Sequence, residues 1–86
     1  MQRLPMKIEF YKSALCPRCA YASHILKTLQ AEEDGLEIIT YDILTDFTAF
    51  RDAGIKMIPA IRCGNNTQSW VLPAKDEIRD FILKNR

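Results

Sequence analysis

The sequence predicts an α/β fold with the element order βαβαββα. Three observations carry this expectation: residues 6–12 alternate apolar and polar side chains, residues 17–31 switch to apolar spacings of three and four, and a second stripe of helical period closes the chain. At 86 residues, 1–86 read as one domain, near the lower limit for burying a self-sufficient core.

The segment "MKIEFYK", residues 6–12, sets Ile8 and Phe10 against Lys7 and Glu9, then runs into small and polar residues, as a strand entering a loop does. From Pro17 onward Ala22, Ile25, Leu26 and Leu29 recur on one helical face, with Tyr21 assigned to the same stripe. Pro17 suits the first helical position, where its missing N–H costs nothing. This helix is expected to run to about Ala31 and to end near Gly35. "LEIITYDIL", residues 36–44, is β-branched and aromatic with little polar interruption, which predicts a strand covered on both faces. Strand, helix and strand form a βαβ unit with parallel strands and a right-handed crossover.

Asp46 is the expected N-cap of a short helix, "FTAFRDA", closed by Gly54. A second such crossover leads into "KMIPAIRC". "GNN", residues 64–66, is turn chemistry, with Asn65 and Asn66 suited to left-handed backbone, and predicts an antiparallel hairpin with "TQSWVL". The last segment, "PAKDEIRDFILKNR", starts with a proline, carries acids early and bases late, and places Ile78, Phe81 and Ile82 on one face. It reads as an amphipathic helix closing the core. Tyr21, Phe47, Phe50, Phe81 and Trp70 are read as core or partly buried aromatics.

Composition excludes several classes. With 48% hydrophobic and 27% charged residues the chain is neither disordered nor fibrous. A net charge of +1 supplies no field to recruit nucleic acid or an acidic membrane face. No apolar run approaches the roughly 20 residues that cross a bilayer. "MQRLPMKIEF" has no sustained apolar segment and no small-residue cleavage site of a signal peptide, which points to the cytoplasm. A monomer is the default expectation.

The chemistry concentrates in "ALCPRCAY", residues 14–21. Three cysteines cannot all pair within one chain, and the set is too sparse for a secreted disulfide scaffold. Cys16 immediately precedes the first helix, where orphan N–H groups and the positive dipole end stabilise a thiolate. That position makes Cys16 the expected attacking nucleophile, with Cys19 one turn further in as the thiol that resolves a mixed disulfide. Arg18 adds a permanent cation, Lys12 approaches from the preceding loop, and Pro17 pre-sets the helical φ. Two other readings of the pair stand beside this one, a zinc site and plain packing. Zinc needs four ligands, and only Cys63 and His24 remain to supply the other two. His24 lies five residues past Cys19, turned away around the helix, and reads as a surface residue. Cys63 alternates onto the face of Pro59 and Ile61 and reads as a buried core thiol.

"CPRC" between the first strand and the first helix, with "MIPAI" later and a hairpin and final helix after it, resembles the thioredoxin superfamily over roughly residues 7–84. Within it the chain is most similar to the small glutaredoxin-like proteins. The resemblance implies a four-stranded mixed sheet in the order 2-1-3-4 with helices on both faces. It also implies Cys16 as nucleophile, Cys19 as resolving cysteine and Pro59 as a cis-proline against the active-site disulfide. Ile58 would then hold a substrate chain through its backbone N–H and C=O. The chain departs from glutaredoxins at Ser13, Arg18 and "VLPAKD", and from thioredoxins at Leu15, Phe10 and the Pro-Arg spacer. Lys12 stands one place from the lysine that glutaredoxins carry before the nucleophile, and Arg18 and Lys75 are the other cations available to glutathione carboxylates.

The expected function is a thiol-disulfide oxidoreductase that reduces protein disulfides by a dithiol mechanism, with no permanently held cofactor or metal. A reductase or glutathione would return the electrons. The alternatives are a glutathione-dependent glutaredoxin and a metal or iron–sulfur module built on the C-x-x-C.

Overall fold

Alternation along the first strand divides the molecule into two apolar layers, one on each side of a four-stranded sheet. The computed structural model describes residues 5–86; the signal-peptide reading draws partly on residues 1–4, which lie outside the described residues. The elements are β1 (Met6–Lys12), α1 (Pro17–Glu32), β2 (Leu36–Asp42), α2 (Phe47–Ala53), β3 (Ala60–Cys63), β4 (Asn66–Ser69) and α3 (Lys75–Lys84). Their order in the sheet is β2-β1-β3-β4. β1 pairs parallel with β2, Ile8 opposite Ile38, and antiparallel with β3, Phe10 opposite Ile61; β3 and β4 form the antiparallel hairpin.

Ile8 and Phe10 point to the side where α1 supplies Ala22, Ile25, Leu26 and Leu29 and α3 supplies Ile78 and Ile82. Each of the buried isoleucines and leucines stabilises the fold by roughly 1.5–3 kcal/mol relative to exposure. Cys63 and Trp70 join this layer, the indole meeting Phe81 edge-on at 5.7 Å. Tyr11 points the other way, between the rings of Tyr41 and Phe50, each 5.2 Å away. Its hydroxyl donates to Glu9 Oε2 at 2.7 Å, and Arg62 Nη1 lies 3.9 Å from the same oxygen. Burial first, and then the Glu9 carboxylate, push the Tyr11 pKa up to about 12.

The second connection differs from the expected crossover, because β3 runs antiparallel to β1. The seven-residue α2 spans about 10 Å, against about 23 Å for a seven-residue strand, and so does not run the length of the sheet. The chain stays at the C-terminal end of β1 and re-enters there, with Ala60 opposite Tyr11. This is what delivers Ile58 and Pro59 to the same end of the sheet as the cysteines.

Other expectations change for local reasons. β2 ends at Asp42 and forms a sheet edge, so Ile38 and Ile39 are half-buried rather than covered on both sides, and Leu44 lies exposed beyond it. Tyr21 is exposed: it stands about 100° around the helix from Ala22 and about 140° from Leu26, beyond the Ile25 edge of the buried stripe. Phe47 is exposed as well, since the short α2 buries only Phe50. Asp46 stands at the N-cap of α2 without a side-chain cap bond; its Oδ2 instead accepts from the Asp42 N–H and the Thr45 hydroxyl, each at 3.1 Å. The hairpin loop is the two residues Gly64 and Asn65, and Asn66 already pairs with Cys63. Gly64, with φ 62°, takes the left-handed position that the asparagines were expected to fill, and no other residue type has positive φ among the described residues.

Candidate active site

Cys16 is the N-cap of α1, with extended backbone (φ −107°, ψ 109°), and Pro17 occupies the first turn. Ser, Thr, Asp and Asn usually fill this position because their oxygens accept orphan N–H groups. Here a sulfur does so: the Cys19 N–H donates to Cys16 Sγ at 3.1 Å. The first turn of α1 contains no acidic residue, so a thiolate at Cys16 would meet the positive end of the helix without a like charge in that turn. The loop before it is braced by the Cys16 N–H on the Ser13 carbonyl at 3.1 Å and the Leu15 N–H on Ser13 Oγ at 3.2 Å.

Burial works against ionisation of Cys16, but hydrogen bonds from the Cys19 side chain and backbone, and then the charge of Arg18, outweigh it and lower the pKa. Cys19 has the opposite environment. It is fully buried, and burial followed by the hydrogen bond to Cys16 pushes its pKa up to about 11. The two thiols are unbonded and differ in both access and proton affinity.

Arg18 is exposed yet anchored: Nη1 donates to the Val71 carbonyl at 3.0 Å and Nη2 to the Ile58 carbonyl at 3.4 Å. These contacts join the start of α1 to residues 57–59 and 70–72. Pro59 is buried behind a cis Ile58–Pro59 peptide, and its carbonyl accepts the Trp70 N–H at 3.1 Å. The structure thus brings Cys16, Cys19, Pro17, Arg18, Ile58 and Pro59 together at one end of the sheet.

Lys12 borders the same cleft as Cys16, and its Nζ pairs with Asp42 Oδ2 at 3.4 Å across the parallel β1–β2 register. The Leu44 N–H, more than Lys12, holds the Asp42 carboxyl below the usual range. Lys12, Ser13, Ser23 and Lys27 line a shallow cleft of about 320 Å³ beside Cys16. Lys75 is also engaged, with Glu32 Oε1 at 2.8 Å. Asp42 and Val71 were missed by sequence reasoning. The parallel pairing of residues 6–12 with 36–42 sets Lys12 opposite Asp42 and was a usable signal, whereas a backbone acceptor such as Val71 O leaves none. Cys63 is 3% exposed in the core, where burial raises its pKa to about 11, and His24 is on the surface. Among the described residues no three His, Cys, Asp or Glu side chains cluster as a metal site would need.

This sheet order, with helices on both faces and two cysteines at C-x-x-C spacing opening the first helix, is the thioredoxin fold carrying a dithiol. No family model matches the chain. A probable thioredoxin of Methanothermobacter marburgensis is 27% identical over 78 residues, covering 90% of this chain and 92% of that one. A malarial protein of known structure superposes with a TM-score of 0.80 at 15% identity, covering 94% of this chain and 97% of its own. A mutant thioredoxin from Halobacterium salinarum gives 0.73 at 15% identity, covering 93% of this chain and 74% of that one. Thioredoxin O2 of Arabidopsis thaliana in its oxidised state gives 0.73 at 12%, covering 91% and 72%. The chain is thus similar in sequence to a probable thioredoxin and shares the fold of solved thioredoxins. Among the described residues no helix is long and apolar enough to cross a membrane.

Proposed function

We propose that the protein is a thiol-disulfide oxidoreductase that reduces protein disulfides through Cys16 and Cys19. The observation that carries this reading is the Cys16 sulfur at the N-terminus of α1, accepting the Cys19 N–H at 3.1 Å above a buried partner thiol. The Cys16 thiolate attacks one sulfur of a substrate disulfide; a Cys16–substrate bond forms, and the other substrate sulfur leaves as a thiolate. Loss of the Cys16 charge at this step removes one of the causes that hold the Cys19 pKa up. Cys19 then releases its proton to the departing sulfur or to water and attacks Cys16 Sγ. The 16–19 disulfide forms, the second substrate thiolate leaves, and two electrons have passed to the substrate.

Ile58 and Pro59 form the wall against which the substrate chain lies, and a reductase or glutathione restores the dithiol. Of the cations nominated for glutathione, Lys12 pairs with Asp42 and Lys75 with Glu32, while Arg18 is held by uncharged carbonyls, so both donors enter the test. The test is turnover on a protein disulfide, with the oxidised enzyme recycled in parallel by a thioredoxin reductase with NADPH and by glutathione with its own reductase. Cys16→Ser is expected to abolish turnover, and Cys19→Ser to accumulate mixed disulfides. Turnover retained in Cys16→Ser defeats the mechanism.

A further inference from the structure

The rim of the cysteine site is apolar and open: Leu15 is 81% exposed, Val71 60% and Leu72 79%. Leu15 precedes Cys16 in the chain, and Val71 is tied to it through Arg18. Arg18 is the charge tied to this rim, whereas Lys12 and Lys27 line the cleft beside Cys16. The Arg18 guanidinium has five N–H donors in a planar fork, and the Val71 and Ile58 carbonyls take one from each terminal nitrogen. Both of these partners are uncharged, so the cation is positioned without being neutralised.

We infer that Arg18 is a specificity-determining residue that selects disulfides flanked by a carboxylate. The inference rests on the exchange reading above and adds the substrate class: apolar, extended protein segments with an Asp or Glu beside the reacting cysteine. The physical case is preorganisation. A free arginine loses rotamer freedom when it binds a carboxylate, but here two carbonyl anchors have already fixed the fork, with three N–H groups left over. A carboxylate makes charge-assisted bonds about twice as strong as neutral ones. Because Arg18 is exposed, the pair forms without burying an ion. The apolar rim offers contact area to any chain and cannot itself discriminate charge. A lysine-flanked disulfide meets Arg18 as a like charge, which opposes its docking.

The test isolates the first chemical step. In a Cys19→Ser background, Cys16 reacts with peptides whose single cysteine is capped as a mixed disulfide with thionitrobenzoate. Attack on the peptide sulfur forms the Cys16–peptide disulfide and releases thionitrobenzoate, read by absorbance. Two peptides differ only in glutamate or glutamine beside the cysteine. The glutamate peptide is expected to react about two- to fivefold faster, as for an exposed ion pair, and the preference should shrink at high salt. Arg18→Gln should bring the ratio to about one, and Arg18→Lys, which keeps the charge and loses the fork, should restore it in part. Any change that Arg18→Gln makes in the Cys16 pKa slows both peptides equally and cancels in the ratio. A ratio unchanged in Arg18→Gln overturns the inference. Wild-type protein that shows the preference yet fails to turn over protein disulfides upholds the role of Arg18 while refuting the exchange reading.

Discussion

Alkylation of the reduced protein at neutral pH should label Cys16 and spare Cys19 and Cys63. The size of the effect follows from the three environments. Cys16 lies below its ordinary 9.0, while Cys19 and Cys63 are both raised to about 11. At pH 7 a thiol at 9.0 is about 1% thiolate and one at 11 about 0.01%, so ionisation favours Cys16 by at least about 100-fold. The more basic thiolates are intrinsically better nucleophiles, and over two pKa units this returns about tenfold to them. At least about a tenfold preference for Cys16 survives, before access is counted. Cys19 is 0% exposed and Cys63 3%, which widens the gap. The assay is timed iodoacetamide labelling read by peptide mass spectrometry between about pH 5 and 10, with a denatured control in which the three rates converge. Labelling of folded Cys19 or Cys63 as fast as Cys16, or a Cys16 profile with its midpoint above 9.0, would falsify the N-cap account of its activation.

Alkaline pH should weaken the reduced fold through Cys63. Its folded pKa of about 11 exceeds the unfolded value near 9.0, so its stabilisation is complete below pH 9 and is lost as pH rises through 11. The Cys63 share is about 2–3 kcal/mol at most, measured by urea unfolding with reductant on either side of that window; Cys63→Ala should reduce the pH dependence by that share and leave the part due to Cys19 and Tyr11, whose pKa values are also raised. Ile78, fully buried between the helices and the sheet, should lose about 0.5–1.5 kcal/mol as Ile78→Val and about 2–5 kcal/mol as Ile78→Ala. Equal losses for the two variants would show that the site collapses rather than leaving a void. Gly54 caps α2 at φ 70°, and no atom lies within 4 Å of where a Cβ would stand. Gly54→Ala should therefore cost about 1–2 kcal/mol through the backbone alone, and an unchanged unfolding midpoint would contradict that.

The elements most readable from sequence are those whose pattern is local. The spacing of Ala22, Ile25, Leu26 and Leu29 specifies α1 because a helix repeats its face within the segment, and Pro17 marks its start. The thiol pair was legible for the same reason, since the N-cap geometry of Cys16 depends on the residues that follow it. What depends on pairing across the chain was not. Nothing within residues 36–44 says that β2 lies at an edge, and the direction of β3 follows from how far α2 can reach. The sequence marks Arg18 as a cation beside the thiolate and gives no sign of what else would hold it. Only the meeting of residues 57–59 and 70–72 beside α1 supplies the carbonyls that hold it.

The end of the sheet opposite the dithiol has a consequence for how this protein can be joined to others. There the Met6 N–H donates to the Gly35 carbonyl at 2.7 Å, and the Arg86 guanidinium donates to the Asp34 carbonyl. Pro5, Gly64 and Arg86 line one shallow groove. Residues 5 and 86 are thus neighbours, and the seven residues of β1, about 23 Å of chain, separate them from the loop that bears Cys16. A carrier protein, a surface anchor or a fluorescent label fused at either position would hang from the far side and leave the thiolate open to its substrates. A peptide inserted in the Gly64–Asn65 turn, at the same end, would likewise stand clear of the thiolate.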